Sequence, residues 1–106
     1  MTLENIAEML EGVFPNKVAY RCFKSGTVPE MPFVCYLVSY SNNFAADGIV
    51  YDKINHIQIE LYTDKKDLVS EGKIETALLN AGLCWRYIET YIDTERCYQI
   101  IYEIEV

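Results

Sequence analysis

The sequence predicts an α+β domain in which helices cover one face of a mainly antiparallel sheet. Three observations lead there. Residues 56–62 alternate without a break: Ile57, Ile59 and Leu61 point one way, and His56, Gln58, Glu60 and Tyr62 the other. Two other stretches carry apolar residues at helical spacing instead. The last two strand-like runs are joined by a short turn, which favours an antiparallel hairpin.

Taken in order, Thr2 can cap a first helix, with Asn5 three residues on. Ile6, Met9, Leu10 and Val13 then share one face, and Pro15 and Asn16 stop the helix. Glu4, Glu8 and Glu11 lie opposite. Val18 to Phe23 reads as a strand, Lys24-Ser25-Gly26 as a turn, and Thr27 to Pro32 as a connection or an edge because of its prolines. Phe33 to Val38 is a short unbroken apolar run, which predicts a strand covered on both faces.

Ser41 to Lys53 is the longest polar interruption. Asn42-Asn43 and Asp47-Gly48 are turn signals, yet Phe44, Ile49, Val50 and Tyr51 are apolar. Either the segment folds back over the core or it forms an arm that reaches a partner; residues 49–51 could also begin the next strand and make an extended hairpin. Asp67 or Ser70 can cap a second helix whose apolar stripe is Leu68, Ile74, Ala77, Leu78 and Ala81, closed by Gly82. Lys65 and Lys66 before it read as solvated. Leu83 to Tyr91 and Cys97 to Val106 are the last two strands. The order is α-β-β-β-α-β-β, within one domain spanning residues 1–106.

Composition narrows the function. With 106 residues and 51% hydrophobic content, the chain can bury a core without staples. A net charge of −7 argues against a nucleic-acid binder, though not against a surface that DNA passes without adhering. No run is apolar and long enough to span a membrane, and Glu4, Glu8 and Glu11 do not suit a signal peptide, so a cytoplasmic protein is expected. The four cysteines, Cys22, Cys35, Cys84 and Cys97, form no Cys-x-x-Cys pair; they read as buried, reduced residues in strands. His56 is the single histidine. With Gln58 and Glu60 it could begin a metal site, but nothing else in the sequence clusters with them. Phosphate-loop and hydrolase motifs are missing, so no enzyme, cofactor or metal is expected.

Ser41-Asn42-Asn43-Phe44-Ala45-Ala46-Asp47-Gly48, then Val50-Tyr51 and His56-Ile57-Gln58-Ile59-Glu60-Leu61-Tyr62-Thr63, resemble small proteins of tailed phages and prophages of Gram-positive bacteria. So do Glu89-Thr90-Tyr91-Ile92-Asp93 and Tyr98-Gln99-Ile100-Ile101-Tyr102-Glu103. The resemblance, from about Pro32 to Val106, is to head–tail joining proteins of the tail terminator (tail completion) type. It implies a structural virion protein without catalysis: a homo-oligomer, expected to be a hexameric ring, that caps the tail tube protein and docks the head connector or stopper protein. It would act in the host cytoplasm during assembly and then at the virion head–tail junction.

On this reading Asn42, Asn43, Phe44, Asp47, Ile49 and Tyr51 are the candidate contact residues of the arm. Glu103 and Glu105, or Glu4, Glu8 and Glu11, are candidates for an acidic lumen through which DNA slides. A stopper or adaptor of the same joint is the alternative within the class. A small ligand- or metal-binding domain or enzyme using the His56 face is the alternative outside it.

Overall fold

Thr2 opens the chain with a reciprocal cap: its hydroxyl accepts the Asn5 amide, and the Asn5 side chain accepts the Thr2 amide. In the computed structural model this starts α1 (Leu3–Val13), followed by β1 (Val18–Tyr20), β2 (Phe33–Ala46), β3 (Ile49–Thr63), α2 (Leu68–Asn80), β4 (Arg86–Ile92) and β5 (Cys97–Glu105). The structure describes the backbone of residues 1–46 and 49–106, and the side chains of 1–41 and 54–106.

The expected fold class holds, with one refinement: the sheet is mixed. Its order is β1-β2-β3-β5-β4, and β1 runs parallel to β2 while every other neighbour is antiparallel. The first two strands are shorter or longer than their sequence patterns suggest. β1 stops at Tyr20, whose hydroxyl then accepts the Val38 amide of β2. Arg21 turns away with φ of 66°. β4 begins only at Arg86, so Leu83, Cys84 and Trp85 lead into it as irregular chain.

The core lies between the sheet and both helices. Val34, Ile57, Ile59, Leu61, Ile100, Tyr102 and Ile104 meet Ile6, Leu10, Phe14, Ile74 and Leu78, all essentially buried. β3 alternates as its sequence requires. α2 does not bury its whole apolar stripe. Ile74 and Leu78 face the sheet, whereas Leu68, Val69 and Leu79 are about 70% exposed (70%, 71% and 69%). Ser70 and Glu71 are buried instead, because each has polar partners there: Asp67 for Ser70, Tyr87 and Lys66 for Glu71. Gly82, at φ of 73°, ends the helix. Its amide donates to the Leu79 carbonyl and that of Leu83 to the Leu78 carbonyl, a double closure that favours glycine.

The cysteines divide. Cys35 and Cys97 are buried in strands, as expected, but Cys22 and Cys84 are exposed and lie outside strands, where the chain turns away from the sheet. Among the described residues, no helix is long and apolar enough to cross a membrane.

Candidate functional site

Two features are left over once the core is built: the sheet face without helices, and a two-stranded arm. The face follows from register. Cross-strand partners point to the same side, so Phe33, Cys35 and Leu37 of β2 align with Tyr62, Glu60 and Gln58 of β3. Those align with Gln99, Ile101 and Glu103 of β5, and these with Thr90, Ile88 and Arg86 of β4.

At the centre of the face sits Glu60, only 8% exposed. Its carboxylate accepts from Gln58 Nε2 (2.8 Å), Tyr62 OH (3.2 Å) and Gln99 Nε2 (3.3 Å), and Gln99 Nε2 also donates to Tyr62 OH (2.9 Å). Neutral donors thus satisfy a buried carboxylate. Burial, with the Glu60 charge adding to it, pushes the Tyr62 phenol up to about 12 and the neighbouring Cys35 thiol up to about 11. Cys35 is therefore held as a thiol, the unreactive form. The alternating sequence showed this polar row, but it could not show that Gln99, 39 residues away, completes the network.

Next to it, Tyr40 stacks on His56 with ring centroids 3.9 Å apart, and His56 Nδ1 lies 3.5 Å from Glu105 Oε1. A register shift between Val38 and Tyr40 leaves Ser39 as an extra residue, and its hydroxyl donates to the His56 carbonyl (2.9 Å). Such a bulge re-aims a strand, and here it marks the root of the arm. Among the described residues, no group of three or more His, Cys, Asp or Glu side chains could hold a metal ion.

The arm is the continuation of β2 and β3. β5 pairs with β3 from Thr63 back to His56, and Val106 exchanges backbone hydrogen bonds with Asn55. Among the described residues, β2 and β3 go on without a third strand from Asn42 opposite Ile54 to Ala46 opposite Ile49. Five residues at roughly 3.4 Å each carry this ribbon about 17 Å beyond the last third-strand contact. The alternative of a loop folded back over the core is replaced by a hairpin. Asn42, Asn43, Phe44, Ile49 and Tyr51 all lie on its backbone, but their side chains are outside the described residues, and Asp47 is outside them altogether. A second register shift, between Phe44 and Ala45, leaves Tyr51 without a partner opposite it.

Of the acidic candidates, Glu105 is exposed at the arm's root and Glu103 is half-buried on the helix-free face. Glu4, Glu8 and Glu11 are exposed on the outer side of α1. These two sets lie on opposite sides of the molecule.

The far end of the helix-free face holds a groove of about 650 Å³ between the 21–32 connection and the β4–β5 turn. Cys35 and Cys97 line it together with Phe33, Tyr62, Phe23, Met31 and Ile92; Arg21, Glu30, Asp64 and Glu95 are its charged members. Phe33 stacks on Tyr62 (5.0 Å) and meets Phe23 edge-on (5.4 Å). Sequence reasoning missed this groove because three stretches far apart in the chain assemble it.

No family model matches the chain, and no curated protein matches it in sequence.

Proposed function

We propose that this chain is a structural subunit of a phage head–tail joint, of the tail terminator type. It caps the tail tube as a ring of identical copies and offers a docking surface to the head side. The observation that supports this reading best is the ribbon of β2 and β3, which extends past its own sheet. Two strands without a third strand or a second layer are marginal in water, so a ribbon of this kind suits a contact made on assembly. The resemblance of residues 41–63 covers the same segment.

The acidic balance of −7 fits a channel protein that DNA passes without sticking. Glu103 and Glu105 are the lumen residues on this reading if the helix-free face turns inward, and Glu4, Glu8 and Glu11 if α1 does. No chemistry is required of Cys35, Tyr62 or Glu60; they keep the face ordered.

Deleting the gene from its phage or prophage tests the reading. After induction, negative-stain electron microscopy should show filled heads beside detached tails, some overlong or ragged. Filled heads that leak DNA beside tails of normal length would indicate the stopper position instead. Normal joined virions would remove the chain from the joint.

A further inference from the structure

β4 is an edge strand open on both faces and along its outer side. All but the last of its seven residues are exposed, and Tyr87, Ile88 and Tyr91 keep 42%, 40% and 48% of their surface. Among the described residues, no strand pairs with its outer edge. The usual devices that blunt such an edge are missing: β4 holds no proline and no lysine, and its pairing with β5 runs from Arg86 to Ile92 without a register shift. The protein surface that matches a row of open N–H and C=O groups at strand spacing is another extended strand.

We infer that this edge pairs with the β4 edge of a second copy, antiparallel, about a two-fold axis at Thr90. The register argues for that occupant. Centring on Thr90 sets Thr90 opposite itself and Ile88 opposite Ile92 on the helix-free face; on the other face Glu89 meets Tyr91 and Tyr87 meets Asp93. Threonine pairs and apolar β-branched pairs are favourable cross-strand neighbours, and no like charges stand opposite each other. Centring on Glu89 instead would oppose two carboxylates. Charge fits as well. The Lys66 ammonium donates to Tyr87 OH at 2.7 Å, so Asp93 of the second copy arrives at a cationic spot. β1, the other edge of the sheet, has only three residues, so pairing along it offers fewer hydrogen bonds. The exposed parts of Tyr87 and Tyr91 together equal about one aromatic side chain, roughly 150–250 Å². With Ile88 and the strand backbone the contact stays below the roughly 800 Å² per partner of a standard interface, so pairing should be reversible and rise with concentration. A two-fold contact joins copies in pairs and does not propagate, so it stands apart from the proposed ring, which needs a heterologous contact.

Cysteine trapping tests the pairing. Residues directly opposite in an antiparallel ladder have Cα atoms roughly 4.5–5.5 Å apart, inside the roughly 4.4–6.8 Å that a disulfide spans. Cys22 and Cys84, the exposed native thiols, are first replaced by serine. Thr90→Cys is then added, and the full chain is oxidised with glutathione disulfide at several hundred micromolar protein. The introduced thiols should bridge two copies at least tenfold faster than those of Thr76→Cys, an exposed position on α2. Adding Ile88→Lys to Thr90→Cys sets a charge against Ile92 of the second copy. It should slow the bridging at least tenfold and leave the melting temperature nearly unchanged, because Ile88 lies outside the main core. Equal rates at positions 90 and 76 would overturn the pairing. So would a fast bridge that Ile88→Lys does not slow, or a faster bridge through Ile88→Cys than through Thr90→Cys. None of these results bears on whether the chain joins heads to tails, which the gene deletion reads separately.

Discussion

Lys66 Nζ lies 2.8 Å from Oε2 of Glu71, a carboxylate that is almost wholly buried beneath β4. The same ammonium reaches Glu89 Oε1 at 2.6 Å and donates to Tyr87 OH at 2.7 Å, while Tyr87 OH donates to Glu71 Oε1 at 2.6 Å. This cluster ties α2 and the chain before it to an edge strand that contributes no residue to the main core. Lys66→Met should therefore leave Glu71 buried and poorly compensated. The cost should exceed the roughly 0–1 kcal/mol of a surface pair. It should fall short of the roughly 3–5 kcal/mol of a fully buried one, since the Lys66 side chain is 40% exposed. About 1–3 kcal/mol is expected from urea denaturation, and adding Glu71→Gln should recover most of it.

Alkaline pH should weaken the fold through the helix-free face. The Cys35 thiol is raised from 9.0 to about 11 and the Tyr62 phenol from 10.0 to about 12, both chiefly by burial. A raised folded value means that the unfolded chain ionises first. The associated stability is intact below pH 9 and is lost as pH rises from 9 toward 12. Each group costs up to about 1.4 kcal/mol per pH unit within its window. Denaturation midpoints measured from pH 7 to 11 should be flat at first and then fall, and Cys35→Ala should postpone the fall. A midpoint unchanged at pH 11 would contradict the burial of both groups.

Gly82→Ala should destabilise by about 1 kcal/mol, because alanine is strained in the left-handed conformation that Gly82 adopts. In a domain of this size that corresponds to a melting temperature lower by roughly 4–8 °C. Space does not limit the substitution, since an added Cβ meets no atom within 4 Å. Gly72→Ala, in the interior of α2 where φ is not positive and an added Cβ meets nothing within 4 Å, should instead stabilise by up to about 1 kcal/mol, and the opposite signs would isolate the backbone effect.

The arm should be dispensable for folding. Replacing Phe44 and Tyr51 by serine, or shortening residues 42–53 to a two-residue turn, should leave the far-ultraviolet circular dichroism of the body and its melting temperature nearly unchanged. Assembly into the ring should be lost. Unfolding of the variant would place the arm residues in the core of their own chain.

These elements differ in how far the sequence foretold them. α1 was legible because both of its determinants are local: the Thr2–Asn5 cap and the Ile6, Met9, Leu10, Val13 stripe. Gly82 and the alternation of β3 are local too. Pairing is not, and so the parallel docking of β1 on β2 had no signature in Val18–Tyr20. The stripe of α2 misled for a related reason. Leu68 has the right spacing for the core, but Glu71 takes the inward place because Tyr87 and Lys66, distant in sequence, satisfy it. The arm announced itself as apolar residues stranded among turn signals, which distinguishes a special segment but not a hairpin from a fold-back. The groove, assembled from residues 21–35, 62–64 and 92–97, left no mark on any single stretch.

The most direct measurement of the central claim is a cryo-electron microscopy reconstruction of the neck of virions from the phage or prophage that encodes the chain, with peptide mass spectrometry of the same particles. Copies of this fold should form a ring between the last layer of the tail tube and the head side. A neck fully accounted for by other chains, in particles whose mass spectra lack this one, would contradict it.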